Sequence, residues 1–177
     1  MKHSAFLSAL LLISTLFVSC KKDTLNHENE FEKSYHEWQA FKQSSGDSYR
    51  YMVTFGSWTG FGTETIITVT NGKVTQRSYQ LLLPRQGNPS PVPIPPDQMA
   101  WTENENEINT HTEMAAKAMT LDEVYEKART EWLIKREGAD VYFETKNNGM
   151  ISSCGYVNNG CMDDCFNGIR IAYIQPL

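Results

Sequence analysis

No basic patch interleaved with aromatics occurs anywhere in these 177 residues, and acids outnumber bases 21 to 16, for a formal net charge of −5. An acidic surface repels phosphate backbones, so nucleic acid is excluded as an expected partner. No apolar run reaches the ~20 residues needed to cross a bilayer. P-loop, dinucleotide and Ser-centred fingerprints are all missing, and no cofactor is expected. Cys-x-x-Cys, the spacing of dithiol redox chemistry, is also absent. His36-Glu37 begins a zinc-protease H-E-x-x-H, but Ala40 stands where the second ligand belongs. Proline is scarce outside one place: six of the seven fall between 84 and 97.

What the chain does have begins at its start. Met1-Lys2-His3 is a short basic opening, and Ala5 to Val18 is a nearly unbroken apolar run, the size of a secretory h-region. Phe17 is too bulky for the small-x-small site of ordinary signal cleavage. Leu16-Phe17-Val18-Ser19-Cys20 resembles a bacterial lipoprotein signal instead, which ends on a cysteine that receives diacylglycerol and becomes the mature N-terminus. The resemblance implies a signal peptide over 1–19, acylation (palmitate among the chains) at Cys20 and a lipidated tether over 20–30. Two or three acyl chains make a stable anchor, at roughly 0.8 kcal/mol per buried CH₂. Lys21-Lys22-Asp23 puts no Asp directly after Cys20, which by the same resemblance favours the outer membrane of the cell envelope, its face left open.

From residue 31 to 177 the pattern is that of one α+β domain. Phe31, Tyr35, Trp38 and Phe41 recur at helical steps, and Ser44-Ser45-Gly46 ends them. Tyr49, Tyr51, Val53 and Phe55 alternate with polar neighbours as a half-buried strand. Glu64 to Thr70 is rich in β-branched residues, and Asn71-Gly72 is a type I′ hairpin signal that sets Val69 opposite Val74. The return strand runs to about Leu83. Residues 84–97 read as an extended loop with polyproline character, and Trp101 with its Glu/Asn-rich sequel continues an insertion over about 84–119. Thr120 and Glu123 form a capping box, Leu121, Val124, Tyr125, Ala128 and Trp132 line one helix face, and Gly138 is the expected stop. Val141, Phe143 and Thr145 alternate, Asn148-Gly149 turns the chain, and Ile169, Ile171 and Tyr173 form a final strand. The expectation is two helices on an antiparallel sheet of about six strands, each half reading helix-strand-strand-strand.

With Cys20 assigned to lipid, Cys154, Cys161 and Cys165 remain, and an odd number implies one bridge plus one free or intermolecular thiol. The hairpin register puts Cys154 on the face of Phe143, hence buried. A bridge needs Cα atoms about 4.4–6.8 Å apart, which favours Cys161–Cys165 while leaving Cys154 open as a partner for either. The sharper alternative is a metal site. Zinc would use these thiols with Asp163 and Asp164, and calcium would use Asn158, Asn159, Asp163, Asp164 and Asn167. Only Cys-x₃-Cys fits zinc spacing, and EF-hand spacing is absent. His111 and Glu113 are a nominal acid–base pair, better read as solvated loop residues.

Several segments together resemble an uncharacterised bacterial lipoprotein family, domain of unknown function 6174. They are Trp38 before Ser48-Tyr49-Arg50-Tyr51-x-Val53, then Ile67-Thr68-Val69-Thr70-Asn71-Gly72-Lys73-Val74, then Thr120-Leu121-Asp122-Glu123-Val124-Tyr125. Val141-Tyr142-Phe143, Asn148-Gly149 and Asp163-Asp164 complete the set. The resemblance spans about residues 35–174 and implies the architecture but no activity; the proline insertion and the cysteine cluster depart from it. Three readings of function follow. The leading one is a non-enzymatic envelope module that meets an envelope protein through residues 84–119. The others are a metal-binding module at the Cys154–Cys165 loop and a hydrolase with an unrecognised site. Whether it takes a small-molecule ligand is left unknown by the sequence.

Overall fold

The aromatic stripe of Phe31, Tyr35, Trp38 and Phe41 lies on helix α1, Glu28–Ser44, in a computed structural model that describes residues 24–84, 94–111 and 114–177. The helix opens one turn before Phe31. Leu25 is already bridged to Ile134, and the Lys135 amide donates to Thr24 O at 3.0 Å, so the chain joins the folded body within the stretch expected as tether. Cys20 lies outside the described residues.

Seven strands follow: β1 Tyr49–Gly56, β2 Gly62–Thr70, β3 Lys73–Leu82, β4 Ala100–Asn104, β5 Ala139–Glu144, β6 Ser153–Asn158 and β7 Asn167–Pro176. They form one antiparallel sheet in the order β4-β3-β2-β1-β7-β6-β5, so β1 and β7 join the two halves at its centre. Asn71 and Gly72 both take positive φ, as a type I′ turn requires, and Val69 faces Val74. In the second half Phe143 faces Cys154. Gly56 pairs with Gly62, Gly62 with Leu82 and Ala139 with Asn158. The β1–β2 turn, the exit of β3, the entry to β5 and the β6–β7 loop therefore share one end of the sheet, the loop end.

Helix α2, Leu121–Lys127, starts on the Thr120/Glu123 capping box and runs on as a π turn over Ala128–Trp132. It ends there and not at Gly138, whose positive φ instead turns the chain into β5. The wider π turn shifts the helix phase, so that Ala128, Trp132 and Leu133 are all buried. Both helices cover one sheet face, against Tyr49, Tyr51, Ile67, Val69, Cys154, Ile169 and Ile171. Three buried tyrosine hydroxyls tie the layers together. Tyr49 accepts from the Leu121 amide at 2.8 Å, and Tyr51 donates to Met119 O at 2.6 Å. Tyr125 donates to Ser34 O at 3.0 Å and accepts from the Ile151 amide. Burial pushes the Tyr125 phenol up to about 12 and raises Tyr49 and Tyr51 as well.

The seventh strand corrects the expected count. Trp101 to Asn104, expected as loop, pairs with β3 and adds a fourth strand to the first half, which breaks the helix-strand-strand-strand parallel. The polar appearance of this strand has a physical cause: the residue it buries is Glu103, paired with the equally buried Arg77 through two 2.8 Å hydrogen bonds. The Asn109 and His111 amides and the Thr110 hydroxyl also donate to Glu103, while Arg77 donates to Ala116 O and His111 O. His111 stacks on Trp101 at 4.3 Å. Much of the expected insertion is thus fastened over the sheet; residues 85–93, 112 and Glu113 lie outside the described residues.

Burial alone would raise the Glu103 pKa, but the hydrogen bonds from Arg77, from the Asn109 and His111 amides and from the His111 ring outweigh it and hold the carboxyl at about 2. Because the folded pKa lies below the ordinary 4.5, the contribution is complete above that pH and is lost as pH falls toward 2. It amounts to roughly 3 kcal/mol at 1.36 kcal/mol per pKa unit. Urea melts should show Glu103→Gln losing much of this acid dependence. Arg77→Ala should cost about 3–5 kcal/mol by leaving a buried carboxylate unpaired, and Arg77→Met with Glu103→Leu should not recover it, because the Asn109 and His111 amides and the Ala116 and His111 carbonyls would lose their partners.

Candidate functional site

The β6–β7 connection was the sequence's best candidate, and its three thiols do not meet. Cys161 and Cys165 are disulfide-bonded with Cα atoms 6.3 Å apart, whereas Cys154 is a free thiol buried in the core opposite Phe143 and Ile169. Burial raises the Cys154 pKa strongly, keeping it a protonated apolar filler and not a nucleophile. Asp163 and Asp164 are exposed. Asp164 Oδ1 accepts from the Trp58 amide at 3.3 Å, and Asp163 O accepts from the Cys165 amide at 2.8 Å. Asn167 spends its side-chain amide on Cys165 O. Among the described residues no group of three His, Cys, Asp or Glu converges in a way that could hold a metal ion. Zinc would find two of its three thiols bonded to each other and the third inside the core.

His111, the other titratable candidate, belongs to the Glu103 box, with Nδ1 3.1 Å from the carboxylate. His36 and Glu37 are exposed on α1. The groups with displaced pKa are core tyrosines, the edge-strand neighbour Tyr79, the Cys154 thiol, Glu103, and Lys42 where it pairs with Asp122. Each has a structural partner or is simply buried.

Elsewhere among the described residues a groove of about 790 Å³ lies over β5, β6 and β7. Beside it two glycines, Gly155 and Gly168, face each other across β6 and β7. A Cβ on Gly155 would sit 2.7 Å from the Phe166 ring and 2.8 Å from Gly168 Cα, so the absence of side chains lets Phe166 fold flat over β6. The Arg170 guanidinium lies 4.0 Å from the Phe166 centroid, and the Tyr142 ring stands 6.5 Å away. Glu144, paired with Lys146 at 2.8 Å, completes the rim. His27 reaches over the edge of β5 to Val141 O at 3.3 Å. An aromatic floor, one cation and one carboxylate pair can recognise a ligand by stacking and charge. None of the residues with a displaced pKa lines this groove. Sequence reasoning missed it, although glycines inside strand-like runs at 155 and 168 were its available sign.

Two outcomes follow from the geometry. In a chain carrying Cys20→Ser, the native protein should leave Cys154 unreactive to a thiol reagent; unfolding should expose that one thiol, and reduction should then add Cys161 and Cys165. Gly168→Ala would place a Cβ 2.1 Å from Cys154 O, which is backbone and cannot turn aside. It should destabilise by about 1–3 kcal/mol or more and make Cys154 reactive in the otherwise native state, read by denaturant melts and labelling rate.

Compared with protein-family models, with curated proteins and with solved structures, the chain matches none of them.

Proposed function

We propose that this protein is an envelope lipoprotein, acylated on Cys20 and held on the outer membrane, whose α+β domain is a non-enzymatic binding or accessory module. In this reading it belongs with the domain of unknown function 6174 group that its segments resemble. The observation that carries the reading is the point where the folded body begins. Thr24 is already hydrogen-bonded to Lys135, leaving only Lys21, Lys22 and Asp23 between Cys20 and the domain. Fully extended, three residues reach about 10–11 Å. An acyl anchor at Cys20 would hold the domain directly against the bilayer, where a partner in the envelope is met at high effective concentration.

The contact surfaces favoured by chemistry are the Phe166–Arg170–Tyr142 groove and the proline-rich segment within 84–119. The groove presents apolar area beside a few polar groups, the segment is favoured by its proline content alone, and recognition is commonly carried on loops over a rigid sheet. Catalysis would need a nucleophile and a base within hydrogen-bond reach, and the groove's charged residues instead pair with each other or stack.

Labelled palmitate should enter the wild-type product and not Cys20→Ala; equal labelling of the two would refute the anchor. Crosslinking on intact cells should recover a partner whose yield drops with Arg170→Glu or with removal of 85–93. Excising all of 84–119 is unsuitable, since it would strip β4 and Glu103 from the sheet. Unchanged recovery in both variants would refute the contact surfaces.

A further inference from the structure

The loop end of the sheet carries apolar side chains where a soluble surface normally carries polar ones. Trp58, on the β1–β2 turn, is 77 % exposed, and Met162, inside the disulfide loop, is 93 % exposed. The two loops touch, because the Trp58 amide donates to Asp164. Phe55 stands at the base of the same turn, and Leu82 and Leu83 leave β3 beside it; Pro84 lies 3.3 Å from where a Gly60 Cβ would be. On the other side of the disulfide loop the Asn159 amide binds Gly138 O at the entry to β5, and Ile134, also exposed, lies just upstream. Of the large apolar side chains exposed among the described residues, Met114, beside Tyr79 and Trp101, Tyr142 and Leu177 lie away from this end. A patch so concentrated marks an interaction surface.

Its occupant follows from where the chain enters the body. Leu25 bridges to Ile134, and Thr24 is bound by Lys135, so the N-terminal segment leaves the fold at the side of the loop end. We infer that the loop end is a second membrane contact, in which Trp58 and Met162 enter the boundary between lipid headgroups and acyl chains and fix the domain's orientation on the bilayer. The inference rests on the Cys20 anchor for its geometry, and not for its chemistry. Trp has an amphipathic ring suited to this depth, and the disulfide holds the Met162 loop in shape so that little ordering entropy is lost on insertion. Asp163 and Asp164 beside the patch oppose anionic headgroups, so the contact is driven by apolar area, varies little with salt on neutral vesicles and strengthens with salt on anionic ones. Once seated this way, the sheet face with its groove stands sideways to the membrane, accessible to a partner.

Every described element falls within 24–177, so chain 20–177 carrying Cys20→Ser keeps the fold and lacks both leader and lipid. It is mixed with vesicles of phosphatidylcholine alone and of equal parts phosphatidylethanolamine and phosphatidylglycerol, and followed by co-sedimentation and by quenching with brominated lipid. Binding to both vesicle types is expected, with quenching that disappears in Trp58→Phe difference spectra. Trp58→Ser and Met162→Ser should each weaken partitioning roughly tenfold, the effect of losing one buried large apolar side chain. Leu177→Ser, an exposed apolar residue at the opposite end, should leave it unchanged. No vesicle binding, or equal loss in Leu177→Ser, would overturn the inference. So would a dimer that Trp58→Ser abolishes without any lipid binding, which would give the patch to a second copy. Palmitate labelling tests the anchor separately: labelled wild type with an inert soluble chain removes only the loop-end contact, and the converse removes only the anchor.

Discussion

Two tyrosines on the first strand hold the helical layer in place. Helix α2 has seven α-helical residues, well under the ~12–15 at which an isolated helix becomes even marginal in water. Its first turn is supported from outside, by the capping box and by Tyr49, whose oxygen receives the Leu121 amide that the helix itself leaves unpaired. Tyr51 fixes the carbonyl of Met119 just upstream. Tyr125 then passes the constraint to α1 through Ser34, with Trp38 stacked at 6.2 Å against it and edge-on to Tyr49 at 5.1 Å. Replacing any one hydroxyl would strand a buried polar partner, a loss of about 1–3 kcal/mol. The aromatic lattice therefore decides where both helices lie, and among the described residues no helix covers the sheet's other face.

Much of this was legible from residue order alone. The period-three-to-four stripe of α1, the Thr120/Glu123 cap and the Asn71-Gly72 hairpin each depend on local chemistry, and each stands where local chemistry put it. The register from Asn148-Gly149 placed Cys154 opposite Phe143 and so inside the core. What failed were the two places where a distant partner reverses the local signal. Strand β4 reads as a solvated run because its buried residue is a carboxylate, acceptable inside only beside Arg77. The end of α2 was set at Gly138, whereas the chain leaves the helix at Trp132 to pair Leu133 and Ile134 with the N-terminal segment.

The candidate site was legible in outline and wrong in emphasis. Sequence drew attention to the Cys161–Cys165 loop as a source of ligands, and the loop proves to be a clasp whose carboxylates and amides serve its own backbone and the neighbouring turn. The groove beside it takes its Phe166 wall from what two residues lack. Gly155 and Gly168 carry no side chain, and only their mutual approach in space makes that lack into a shelf for Phe166. A single chain read in order contains both glycines but not their pairing, which depends on how β6 and β7 are brought together.

The pairing of β1 with β7 joins residues 49–53 to residues 171–176, some two thirds of the chain's length apart. Each half can zip its own hairpins early, since those contacts are close in sequence, but the central seam must wait for β7. Closure over so long a loop is entropically slow. During synthesis the first strand thus spends its whole wait with one edge unsatisfied, a window in which a chaperone has something to hold. Strand β7 works as the molecule's fastener: without it a four-stranded meander, β1 to β4, and the β5–β6 hairpin have no strand to join them into one sheet.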